Sequence, residues 1–99
     1  MFTYEKAKQL LEENENKSIK LEHQTYLEYT PKGEIGVRFH GTYIVTILED
    51  GGYRLSNGGW YSVTTRKRIS KYSPTYLRPN GDGWVMPDGS NFVDGMVIR

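Results

Sequence analysis

The densest run of chemically capable side chains is Thr64-Thr65-Arg66-Lys67-Arg68, placed just after Gly58-Gly59 and the aromatic pair Trp60-Tyr61. A helix opening at the threonines presents unpaired backbone N–H groups and the positive end of its dipole, a combination that suits phosphate or carboxylate. Thr64 and Thr65 add hydroxyls, Arg66 and Arg68 add guanidinium groups, and Gly58-Gly59 would let backbone approach a ligand closely. The same residues also satisfy a plainer reading. In an amphipathic helix Arg66, Lys67 and Lys71 share a solvated side while Ile69 and Tyr72 face inward. A second constellation is Arg38 with His40, on the polar side of a strand whose other side carries Ile35, Val37 and Phe39. Residues two apart on a strand project side by side, roughly 6.5–7 Å apart, close enough to clamp an anion. The alternative pairs Arg38 with Glu34 or Asp50 and leaves His40 in a turn. Trp60, Tyr61 and Trp84 could form a stacking platform for a base. Alternation along a strand over residues 60–63 sends Trp60 into the core and leaves Tyr61 as the stacking surface.

Catalytic chemistry is poorly represented. His23 and His40 are the only histidines, and no spacing of histidines and carboxylates suggests a zinc site. There is no phosphate-binding P-loop, nucleophile elbow or dinucleotide fingerprint. Asp82, Asp88 and Asp94 stand in Gly-Asp-Gly, Pro-Asp-Gly and Val-Asp-Gly contexts that turns require, and no calcium-loop pattern joins them. With no cysteine there is no disulfide, thiolate metal site or cysteine nucleophile. The expectation is a non-enzymatic protein without metal or cofactor.

Six Lys/Arg oppose nine Asp/Glu over residues 1–50, and seven oppose three over residues 51–99. The resulting net charge of +1 speaks against a strongly electrostatic nucleic-acid binder, so nucleic acid is a disfavoured partner. No apolar run reaches membrane-spanning length and no signal-peptide pattern opens the chain, so a cytoplasmic protein with no membrane partner is expected.

The elements that must hold these groups read as a single α+β domain over residues 1–99: a helix within 1–16, then a strand-rich core over 18–99. Thr3 caps the helix, and Phe2, Tyr4, Ala7, Leu10 and Leu11 form its apolar stripe. From Ser18 the period becomes two. Strands are predicted around Ile19–Leu21, Tyr26–Tyr29, Ile35–Phe39, Thr42–Leu48, Tyr53–Leu55 and Trp60–Val63, with turns at Thr30–Gly33, Glu49–Gly52 and Ser56–Gly59. His40-Gly41 is either a hairpin turn or a bulge in one bent strand, the hairpin being preferred. Thr64 or Thr65 caps a short helix near 65–72, which Pro74 closes. Pro79–Gly83 reads as a loop, and Trp84–Met86 with the segment up to Ile98 as a C-terminal hairpin, bulged at Asp94-Gly95. The predicted architecture is a small twisted antiparallel sheet or half-barrel with the first helix packed on it.

The segment Arg38–Tyr72 resembles a widespread family of small proteins encoded by tailed phages and prophages. The likeness rests on Arg38-Phe39-His40 with Thr42, on Ile44-Val45-Thr46, on Asp50-Gly51, and above all on Ser56-Asn57-Gly58-Gly59-Trp60 leading to Val63-Thr64-Thr65 and the basic helix. Asp94-Gly95 also fits, whereas Tyr43 stands where the family pattern leads one to expect an acidic residue. The resemblance implies a phage origin and a shared sheet. Small phage proteins of this sort often counter host defence, by sequestering a nucleotide signal or by blocking a defence protein. The leading expectation is therefore a phage-type binding protein of the host cytoplasm. Its partner would be an anionic small molecule, bound by Thr64, Thr65, Arg66, Arg68, Arg38, His40 and Tyr61, or a host defence protein. Nucleic-acid binding through the basic helix and a minor structural role through an exposed sheet edge are the alternatives, with homo-oligomers open to so small a sheet.

Overall fold

A computed structural model describes residues 1–99. The helix α1 (Tyr4–Glu13) opens on Thr3, whose Oγ1 accepts from the backbone N–H of Lys6 at 3.2 Å. It is followed by β1 (Ser18–Glu22), β2 (Thr25–Tyr29), β3 (Ile35–Phe39), β4 (Thr42–Ile47) and β5 (Tyr53–Leu55), then by α2 (Val63–Tyr72), β6 (Arg78–Asn80), β7 (Gly83–Val85) and β8 (Val97–Ile98). Six strands form one open antiparallel sheet in the order β1-β2-β3-β4-β5-β8, and β6 pairs with β7 as a separate ribbon.

The period-two pattern decides which face is covered. Leu27, Ile35, Val37, Val45, Ile47 and Leu55 point to one side and are fully or almost fully buried. Ala7 and Leu11 of α1 and Ile69 and Tyr72 of α2 belong to that same core, so both helices lie on one face. Their ends meet: the rings of Phe2 and Tyr72 lie parallel with centroids 6.3 Å apart, and the Tyr53 hydroxyl donates to the Phe2 carbonyl at 2.7 Å. The opposite face is polar. Glu28 receives Arg38 at 2.6 Å, the Tyr43 hydroxyl at 3.0 Å and the Ser18 hydroxyl at 2.9 Å. Gly36 makes room for this group, because a Cβ there would lie 2.7 Å from the Tyr43 ring.

Three parts of the chain depart from the sequence reading. First, Trp60–Val63 is no strand: Gly58 and Gly59 both take positive φ, the chain leaves the sheet, and the helix begins at Val63. Second, Pro79 lies within β6, where the prediction placed a loop. A two-stranded ribbon has a free edge, and proline is tolerated on such an edge because it need not donate there. Third, the C-terminal hairpin is realised only in part: Trp84–Met86 does fold back on residues 90–92, with the Met86 N–H donating to the Ser90 carbonyl and the Phe92 N–H to the Trp84 carbonyl, but the last strand leaves it. Val97 and Ile98 pair with Arg54 and Tyr53, extending the main sheet. At His40-Gly41 the hairpin is realised, with His40 at φ 53°, and a register shift opposite Val37/Arg38 adds a bulge in β4.

Candidate functional site

The loop between β5 and α2 forms the mouth of a hollow of about 510 Å³. Ser56-Asn57-Gly58-Gly59 supplies a turn in which Asn57 Oδ1 accepts from the Gly59 N–H at 2.8 Å. Gly58, at φ 62°, presses on the β3–β4 hairpin so closely that a Cβ would lie 2.7 Å from Thr42 Oγ1. The loop is thereby pinned beside the hairpin, and Phe39, His40, Gly41, Thr42 and Ile44 form one wall. Trp60, Ser62, Thr64 and Thr65 form the other, and Asn57 also contributes to the lining.

The N-terminus of α2 therefore borders this hollow. Ser62 is its cap: Ser62 Oγ accepts from the Thr65 N–H at 3.1 Å and donates to Thr65 Oγ1 at 2.8 Å. This corrects the expectation that Thr64 or Thr65 would cap. A cap needs extended backbone, which Ser62 has (φ −82°, ψ 152°), whereas both threonines already lie inside the helix. The backbone N–H groups of Val63 and Thr64 are too early in the helix to find a carbonyl four residues back, and they remain unpaired in the protein.

The structure separates the other residues singled out from sequence. Arg38 does not clamp the hollow. It pairs with Glu28 on the polar face of the sheet, and its Nη1 donates to the His40 carbonyl at 2.7 Å. The carboxylate partner is Glu28, one strand over, because Glu34 is taken by Arg54 and Asp50 by Arg99. Burial would raise the Glu28 pKa, but the hydrogen bonds from Arg38, Ser18 and Tyr43 outweigh it and hold the group below its ordinary value. His40 sits in the turn, its ring 4.4 Å from that of Phe39. The side-by-side projection expected of Arg38 and His40 is lost because His40 has left the strand.

Arg68 is likewise turned inward. It donates to Thr25 Oγ1 at 2.7 Å, pairs with Glu22 at 3.3 Å and lies over the Phe39 ring at 5.0 Å. Arg66 donates to the Leu77 carbonyl at 3.1 Å and lines separate hollows, one of them with Tyr61 and Val63. Lys71 pairs with Glu22, which leaves Lys67 as the one cation of α2 without an ion pair or hydrogen bond. Of the seven candidates, His40, Thr64 and Thr65 share the hollow; Arg38, Arg66, Arg68 and Tyr61 do not.

Trp60 does not take the core position expected of it. Trp84 is 4% exposed and packs against Phe92, while Trp60 is 74% exposed. Tyr61 leans edge-on against Trp84 with centroids 4.9 Å apart and is half covered. Alternation misassigned Trp60 because it presupposed a strand that the two left-handed glycines interrupt. The sequence reading also passed over Asn57, whose side-chain Nδ2 is buried without a hydrogen-bond partner. The signal available for it was Asn before Gly-Gly, which marks a turn and says nothing of burial.

No helix is long and apolar enough to cross a membrane. No curated protein and no solved structure matches the chain. A family model does match: the Kyanoviridae Gp96 protein, a phage family, over residues 4–98. That span takes in the hollow, both helices and the whole sheet, and the chain belongs to the Kyanoviridae Gp96 protein family.

Proposed function

We propose that this phage protein is a non-enzymatic binding protein whose hollow takes an anionic, nucleotide-like ligand, and that it counters host defence in the cytoplasm by sequestering such a molecule. The observation that carries the reading is the meeting of two unlike surfaces in one cavity. On one side is the largely exposed indole of Trp60, a stacking surface for a base. On the other are the unpaired N–H and the hydroxyl of Thr64 at the start of α2, with the imidazole of His40 in the same lining. Binding is favoured over catalysis because Ser62 Oγ, the best-placed hydroxyl, is already engaged twice in capping. The inward turn of Arg66 and Arg68 removes most of the positive face that duplex binding would use, which counts against the nucleic-acid alternative.

The test is a thermal-shift screen against mononucleotides and cyclic nucleotides. A ligand at one hundred times its dissociation constant adds about 2.7 kcal/mol of stability. Trp60→Ala should abolish that gain without lowering the basal midpoint. If no nucleotide moves the midpoint, the small-ligand reading is lost. The exposed apolar strip Trp60, Tyr61 and Val63 would then favour a protein partner, since Trp and Tyr are enriched among interface anchors.

A further inference from the structure

Asn57 is 2% exposed, lines the hollow, and its Nδ2 is the one buried side-chain nitrogen or oxygen in the protein without a hydrogen-bond partner. Every other polar group of the residue is committed. Its backbone N–H donates to Asp94 Oδ1 at 3.0 Å, its carbonyl accepts from the Trp60 N–H at 3.0 Å, and Oδ1 accepts from the Gly59 N–H at 2.8 Å. The amide cannot be turned over to relieve the orphan, because that would set its NH₂ group against the Gly59 N–H, donor to donor. Asn57, a residue of the lining, thus keeps one covered and unpaired donor of fixed direction and lacks an equally free acceptor.

Resting on the nucleotide reading above, we infer that Asn57 is the specificity-determining residue of the hollow and that the ligand's base carries a carbonyl at purine C6 or pyrimidine C4, as guanine, hypoxanthine and uracil do. A carbonyl oxygen satisfies the Nδ2 donor. The amino group that adenine and cytosine bear at the corresponding position is itself a donor and leaves Nδ2 unpaired. An asparagine with both ends free reads adenine through paired donor and acceptor contacts. Here the Gly59 N–H already occupies the acceptor end. Trp60 stacks the base, and the phosphate meets the unpaired N–H of Thr64 at the start of α2. Leaving a buried donor unpaired against a competing ligand corresponds to about 5- to 150-fold in affinity.

The experiment titrates the intact protein with GMP, IMP, UMP, AMP, CMP and inorganic phosphate, following Trp60 fluorescence and the Asn57 side-chain amide resonances by NMR. GMP, IMP and UMP should bind about 5- to 150-fold more tightly than AMP and CMP, and only the former should displace the Asn57 amide signals. Asn57→Leu should bring the five nucleotides to similar affinity. The amide resonances of the unaltered protein decide the matter if that variant does not fold. Nucleotide binding with no preference for the 6-oxo and 4-oxo bases over the amino bases, or with the Asn57 signals unmoved, overturns this assignment and leaves the nucleotide reading standing. Binding of inorganic phosphate as tight as that of GMP overturns it too, since the base would then go unread. Absence of binding by any of the six overturns both.

Discussion

At the residue scale, the two tryptophans give the sharpest contrast, because residue type is the same and environment is opposite. Trp84→Ala should lower stability by about 3–5 kcal/mol, as loss of a large buried ring does. Trp60→Ala should stay within about 0.5 kcal/mol of the parent, as substitutions at exposed sites do. Urea unfolding of the two variants checks both values, and a large loss at Trp60 would contradict its exposed placement. Gly58 offers a second test. At φ 62°, with Thr42 Oγ1 where a Cβ would go, Gly58→Ala should cost more than about 1 kcal/mol. Adding Thr42→Ala should return the steric part of that loss and leave the conformational part. A strictly additive double-mutant cycle would show that the loop does not press on the hairpin.

The element that most needs explaining is α2, a basic helix that keeps few of its cations for solvent. Arg68 reaches Thr25 and Glu22, Lys71 also reaches Glu22, and Arg66 reaches the Leu77 carbonyl, so three long side chains fasten the helix to its surroundings. Its start depends on one hydroxyl. Ser62→Ala removes the acceptor for the Thr65 N–H and should cost about 0.5–2 kcal/mol, whereas Thr64→Ala, exposed and not capping, should cost little. Equal losses for the two variants in denaturant titrations would rule out Ser62 as the cap. The helix was legible from its inward Ile69 and Tyr72. Which hydroxyl capped it was not, because Ser62, Thr64 and Thr65 are all competent caps and only the backbone path after Gly58-Gly59 selects among them.

For the molecule as a whole, two carboxylates tie separate elements together. Glu28 links β2 to β1, β3 and β4, and Glu22 links β1 to α2 through Tyr72, Lys71 and Arg68. The Glu28 pKa is pushed up by burial and down, by more, by its hydrogen bonds; the Tyr72 hydroxyl is foremost in lowering that of Glu22. A carboxyl whose folded pKa is depressed contributes stability that is complete above its unfolded pKa and disappears as pH falls through the folded value. Stability should therefore be flat near neutrality and drop on acidification through and below the ordinary glutamate range. Glu28→Gln should flatten that acid limb, measured as unfolding free energy in urea from pH 7 to pH 3. An unchanged slope would mean that Glu28 is not held as its contacts indicate.

Composition and periodicity determined the α+β class, the positions of both helices and the succession of the first five strands. These follow from local preferences: alternation where one face is buried, a 3.6-residue stripe where a helix lies on a sheet, and glycine or proline where the chain must turn. Tertiary structure decided what the polar and aromatic residues do. Arg38 and Arg68 found carboxylates on neighbouring elements, Trp60 left the core once the chain left the sheet, and Asn57 was buried by the meeting of a loop with a distant hairpin. A charge partner or a cavity wall is contributed by residues far apart in the chain. Local sequence therefore names the groups able to do chemistry, and only the packing of the whole fold brings them together or takes them away.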